Sequence, residues 1–189
     1  MDLSVAVNLS VHSLLDHRLV SDIRHLLDDA QLPAGALVIE LTESSVLTES
    51  RRALTILGAL DELGVELSVD DFGTGYSSLV RLRGLPISEI KIDRSFIADL
   101  DRVPEDGAIV GATIQLGHRL GLKVVAEGIE TYNSLERVRH LHCDVAQGFL
   151  ISPPRTARDL ESWLLAAPGF PVRRQKPPGA VPPAERIPG

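Results

Sequence analysis

Four carboxylates, two amides and one ammonium stand at the ends of six short apolar runs in this chain. Asn8 follows Val5–Val7, Glu40 follows Leu37–Ile39, and the pair Asp70-Asp71 follows Leu67–Val69. Lys91 follows Glu89-Ile90, Glu127 follows Val124–Ala126, and Gln147 follows Asp144–Ala146. Such a set has no use in a hydrophobic core. Two unit charges about 4 Å apart interact by about 4 kcal/mol at an effective dielectric near 20, so neighbouring carboxylates repel strongly unless a cation lies between them. A divalent cation removes the conflict. Donors that are all oxygen suit Mg2+ or Mn2+ rather than zinc, which prefers His and Cys. A lysine beside such a centre can orient a water or steady a phosphate oxygen. The chemistry indicated is that of a metal and phosphate site.

The runs recur about every 20 to 35 positions, with helical patterns between them. Alternating strand and helix predicts βα units whose strand C-termini share one rim, where distant residues meet. An open sheet would place its ligand at one switch point. Polar groups at the ends of so many separate runs favour a ring of contributions instead. A closed barrel of this kind needs eight strands and about 250 residues. The expected fold is therefore α/β, a TIM-type (β/α) barrel, incomplete, with roughly the first two strands and their helices missing. Met1 stands only a few residues before the first strand, which reads as a piece of a longer domain.

Apolar spacing predicts one helix through Leu14, Leu15, Leu19, Ile23, Leu26 and Leu27, ended by Pro33 and Gly35. A second runs through Ala53 to Leu63 and stops at Gly64, and a third runs through Ile109 to Leu120 and stops at Gly121. Thr131 can cap a fourth, and Leu160, Trp163 and Leu164 mark a last amphipathic segment. Residues 1–166 form the barrel portion, and the Pro-rich stretch 167–189 is expected to be a disordered tail.

Composition narrows the class. The 189 residues are 44% hydrophobic and 24% charged, with a formal net charge of −7, which argues against a large nucleic acid as partner. The single Cys143 cannot form an internal disulfide, which fits a cytoplasmic location. No apolar run approaches the roughly 18 residues of a membrane span, and no signal peptide is evident. The six His residues read as surface or helix-packing groups.

The stretch Asp70-Asp71-Phe72-Gly73-Thr74-Gly75-Tyr76-Ser77-Ser78 concentrates the signal. Adjacent aspartates can face different cations, and the glycines allow a tight loop. Asp-Phe-Gly also occurs in protein kinases, but no His-Arg-Asp loop accompanies it here. Gly73 and Gly75 begin a dinucleotide-binding pattern, but Ser78 stands at its third glycine position. Lys91 is costly to bury without an anionic partner, and an ion pair with Asp93 or Glu89 is the plainer alternative to a catalytic role.

Together these motifs resemble the EAL domain, the family that hydrolyses the bacterial second messenger cyclic di-GMP. The resemblance rests on Val5–Ser10, Ile39–Ser44, Asp70–Ser78, Lys91–Phe96, Val125–Glu130 and Gln147–Phe149, and runs from about Val5 to Leu165. It implies two Mg2+ or Mn2+ ions at the rim. Asn8, Glu40 and Asp70 would ligate the first, and Asp70 and Asp71 would bridge to or hold the second. Lys91 would hold the nucleophilic water, Glu127 would act as general base or metal-associated carboxylate, and Gln147 would contact the site's water or a metal-bound group. Glu43 and Glu130 would brace the loop of Phe72, Gly73, Thr74 and Gly75, which continues to Ser78. The implied product is linear pGpG.

The Glu-Ala-Leu segment that names the family, with its metal-ligating Glu and nearby phosphate-binding Arg, is not in this chain. The expectation is a phosphodiesterase that is weak or inactive as it stands. The alternative is a module that binds cyclic di-GMP or a protein without catalysis. The resemblance also implies homodimer contacts and an N-terminal sensory or diguanylate-cyclase domain in the full gene product. The residues assign no substrate-binding side chain.

Overall fold

The computed structural model describes residues 3–46, 51–75, 82, 84–100 and 102–166. Its backbone is a six-stranded, wholly parallel sheet whose strands lie in chain order. The strands are β1 (Val5–Asn8), β2 (Leu37–Thr42), β3 (Glu66–Phe72), β4 (Glu89–Ile92), β5 (Lys123–Ala126) and β6 (Val145–Ala146). Parallel neighbours need a crossover, and helices supply it. These are α1 (Val11–Leu14), α2 (Leu19–Asp29), α3 (Glu43–Val46), α4 (Arg51–Leu63), α5 (Arg94–Ala98), α6 (Pro104–Arg119), α7 (Tyr132–His140) and α8 (Ala157–Ala166).

Side chains alternate along each strand, which gives the sheet two different faces. Ile39, Leu41, Leu67, Val69, Ile90, Ile92, Val124 and Ala126 point toward the helices. There they join Ile23 and Leu27 of α2, Leu57 and Leu60 of α4, Val110 and Ile114 of α6, and Val138 of α7. The alternate positions Glu40, Ser68, Asp70, Glu89, Lys91 and Glu127 therefore line the opposite, inner face. One wall of apolar packing thus presents all the polar strand positions to the other side.

Helix ends follow local chemistry. Gly64 (φ +91°) and Gly121 (φ +73°) end α4 and α6 in the left-handed region that glycine adopts without penalty. Thr131 caps α7 by accepting from the Ser134 amide at 3.1 Å. The first helix differs from the expectation of a single run over Leu14–Leu27. Ser10 caps α1, and the Asp16 carboxylate then accepts from the Arg18 amide at 2.9 Å, a local turn that separates α1 from α2. The five-residue α5 was not foreseen either. It begins where Asp93 accepts from the Ser95 amide at 2.9 Å.

The sheet is not closed among the described residues: β1 pairs only with β2, and β6 only with β5. All four residues of β1 are exposed. The Pro-rich stretch 167–189 lies outside the described residues. No helix among the described residues is long and apolar enough to cross a membrane.

Candidate active site

Four strands deliver the central cluster. In register, Asn8 stands beside Glu40, Glu40 beside Ser68, and Thr42 beside Asp70. The β3–β4 pairing then slips: Val69 faces Ile90, but Phe72 faces Ile92. Three steps on β3 match two on β4, so a β-bulge sets both Asp70 and Asp71 against the single residue Lys91. Asp71 takes the left-handed conformation there, with φ +55°. A bulge re-aims side chains at a strand end, and here it turns two adjacent carboxylates in different directions.

Lys91 is 3% exposed and sits among three carboxylates. Its Nζ lies 2.5 Å from Glu127 Oε1, 2.7 Å from Glu40 Oε1 and 3.6 Å from Asp70 Oδ1. Burial works against its charge, but hydrogen bonds to Glu127 and Glu40 outweigh it and hold the ammonium pKa above its ordinary value. One ammonium cannot neutralise three carboxylates. Accordingly burial, with repulsion from Asp70 and Glu40, lifts the Glu127 carboxyl above its ordinary value despite the bonds from Lys91. Lys91 thus has partners other than Asp93 and Glu89, and Glu89 pairs instead with Lys123 at 3.1 Å. Ser68 lies on the same face, two positions before Asp70, fully buried with no hydrogen-bond partner for its hydroxyl.

Asp71 belongs to a second group. Burial and the neighbouring Asp70 and Asp93 carboxylates raise its pKa, and its side chain hydrogen-bonds to Asp93. Asp93 is held low, against the effect of burial, by bonds from Ser95 and the Arg94 amide. Its closeness to Asp71 escaped the sequence reading; the cap pattern Asp93-x-Ser95 is the signal that could have located it. Beyond the bulge, Glu43, 3% exposed, accepts the Gly73 amide at 3.0 Å. The Thr74 hydroxyl donates to the Asp71 carbonyl at 2.8 Å. Gly75 passes so close to Glu43 that a Cβ there would stand 2.6 Å from its Oε1. Residues 76–78 of the expected loop lie outside the described residues.

The remaining expected site residues stand farther out. Asn8 and Gln147 are exposed at the ends of β1 and β6. Gln147 is tied by its backbone, donating to the Ala126 carbonyl at 2.8 Å and accepting from Ile129 at 2.9 Å. Glu130 is exposed and forms no hydrogen bond with the described loop residues 72–75. Phe72 is buried in the core.

The donor set fits a hard divalent cation in type and charge: oxygen side chains only, with more carboxylates than cations. Among the described residues no three His, Cys, Asp or Glu side chains form a preassembled chelate. The Lys91 ammonium bridges Glu40 and Glu127 instead.

A family model described as the EAL domain matches residues 1–154. The chain belongs to the EAL-domain family. Over 164 residues, 87% of the chain, it is 45% identical to the cyclic di-GMP phosphodiesterase NbdA of Pseudomonas aeruginosa, of which it covers 21%. Its fold superposes on the PaMucR phosphodiesterase in complex with c-di-GMP with a TM-score of 0.79 at 44% identity, covering 83% of this chain and 64% of that one. BlrP1 of Klebsiella pneumoniae, solved as a manganese and cyclic di-GMP complex, gives a TM-score of 0.74 at 33% identity, covering 79% of this chain and 38% of that one. This EAL domain spans about a fifth of the length of the curated relatives it matches. As in those structures, its six parallel strands and flanking helices are TIM-like, and the described sheet is an incomplete barrel.

Proposed function

We propose that this EAL domain binds cyclic di-GMP and hydrolyses one of its phosphodiester bonds, giving linear pGpG. The observation that carries the reading is the Lys91 ammonium set between Glu40, Asp70 and Glu127 at the C-terminal ends of four parallel strands. Asn8, Glu40 and Asp70 would hold one Mg2+ or Mn2+ ion, and Asp70 and Asp71 a second. Bound there, divalent ions supply Lewis-acid activation of water and charge neutralisation at the phosphate.

The chain's own residues do the rest. Lys91, charged across the neutral range, donates hydrogen bonds that fix the attacking water. Glu127, whose carboxyl burial holds above its ordinary value, accepts a proton from that water. The water oxygen bonds to phosphorus, the bond from phosphorus to the ribose 3′ oxygen breaks, and that oxygen leaves as a hydroxyl, taking its proton from solvent water. Glu43 holds Gly73, and through it the segment that carries Asp70 and Asp71.

The test has two arms. Calorimetry with Ca2+ measures cyclic di-GMP binding, and chromatography with Mn2+ follows pGpG formation. Binding plus turnover above a D70N control supports the reading. Binding without turnover would favour the non-catalytic module, and the absence of both would refute the proposal. The full gene product would carry further domains, since the curated relatives are far longer than this chain.

A further inference from the structure

The short helix α5 touches the chain on both sides of Lys91. Its Phe96 ring lies over Gly73, where a Cβ would come within 3.1 Å of the ring Cε2 and 3.6 Å of Cζ. Its first residue, Arg94, presses on Gly128, directly after Glu127, where a Cβ would stand 2.5 Å from the Arg94 Cβ. Gly73 is left-handed at φ +101°, so its conformation comes from what surrounds it. Glu43 grips its amide from the β2 side. The Phe96 ring packs where a Gly73 side chain would stand, from the helix that follows β4.

We infer that Phe96 is a positioning residue: its ring, seated on Gly73, sets the bulge that aims Asp70 and Asp71. The inference rests on the proposed function, because it matters only if those two carboxylates hold ligand. The physical reasoning is short. Glycine has no side chain to define its position, so the segment is held there by hydrogen bonds, from the Gly73 amide to Glu43 and from Thr74 to the Asp71 carbonyl. A flat ring packed against the Gly73 α-carbon limits the freedom that remains. The bulge residue Asp71 lies two positions away, and small shifts there swing its carboxylate. Phe96 itself touches no ligand group. It acts through Gly73, and its backbone is anchored by the Asp93 cap at the start of α5.

The experiment uses the 189-residue chain and reads Mn2+ uptake by electron paramagnetic resonance, with thermal unfolding recorded in parallel. F96A is expected to weaken Mn2+ binding about tenfold, F96L about threefold, and F96Y hardly at all, since it keeps the ring. L135A, a partly buried core change on α7 far along the chain, should lower the melting temperature without altering Mn2+ affinity. If F96A does not fold, F96L against F96Y decides the matter in the same way. Equal Mn2+ affinity in the unmodified chain and F96L would overturn the inference alone. So would an affinity loss in L135A equal to that of F96A. No Mn2+ uptake by the unmodified chain would overturn the metal reading, and this inference with it.

Discussion

Replacing Lys91 by methionine keeps an apolar stem and removes the ammonium with its hydrogen bonds to Glu127 and Glu40. Three carboxylates, with side chains 9%, 15% and 17% exposed, then face one another without their cation. Breaking a buried pair costs about 3–5 kcal/mol, because the partner charge stays buried. In a domain of this size 1 kcal/mol moves the melting temperature by about 2–4 °C, so K91M should melt roughly 6–20 °C lower in EDTA at pH 7.5. Two changes of condition should restore part of the loss. Mn2+ should raise K91M more than the unmodified chain, because an added cation replaces the missing one. Lower pH should also help. The Glu127 carboxyl is raised in the folded chain, so the fold binds its proton more readily than the unfolded state does, and the strain eases as pH falls from 7.5 toward 5. In the unmodified chain the sign is opposite at the other end of the scale. The Lys91 contribution is complete below the unfolded ammonium value near 10.4 and is lost as pH rises through the raised folded value. Calorimetric scans at pH 5 and 7.5, with EDTA or Mn2+, provide the check. A loss under about 1 kcal/mol, or a loss indifferent to both pH and Mn2+, would refute the charge argument.

Three further outcomes follow from Glu43 and Cys143. E43A should lower stability by about 1–3 kcal/mol, because a buried acceptor of the Gly73 amide is removed, and it should weaken Mn2+ binding in the same titration. Cys143 should label slowly with iodoacetamide: burial pushes its thiol from 9.0 up to about 11, so at pH 8 its thiolate fraction is about a hundredfold below that of an unperturbed thiol. The same shift means that the thiol's contribution to stability holds below pH 9 and fades between 9 and about 11, which denaturation at stepped alkaline pH would show.

Much of the arrangement could be read from spacing. Parallel strands joined by helices bring their C-terminal ends together, so Glu40, Asp70, Lys91 and Glu127 could be placed on one rim without coordinates. The glycine stops at Gly64 and Gly121 and the Thr131 cap are local signals of the same legible kind. What resisted reading was irregular. The β3 slip between Val69 and Phe72 breaks the two-residue period on which strand reasoning depends, and it decides that Asp71 turns toward Asp93. The break between α1 and α2 coincides with side-chain bonds from Arg18 to Asp16 that apolar periodicity does not register. The Phe96–Gly73 contact joins two βα units, and no pattern within either unit announces it.

Asp71 holds a backbone shape that glycine would occupy with less resistance. The chain thus keeps an acid where its mechanics would prefer no side chain at all. A laboratory search for heat-tolerant variants would be drawn to D71G early, and the hardier molecule so obtained would have surrendered a carboxylate that we propose holds a metal ion. At this position robustness and usefulness pull apart, and the residue present shows which of them prevailed.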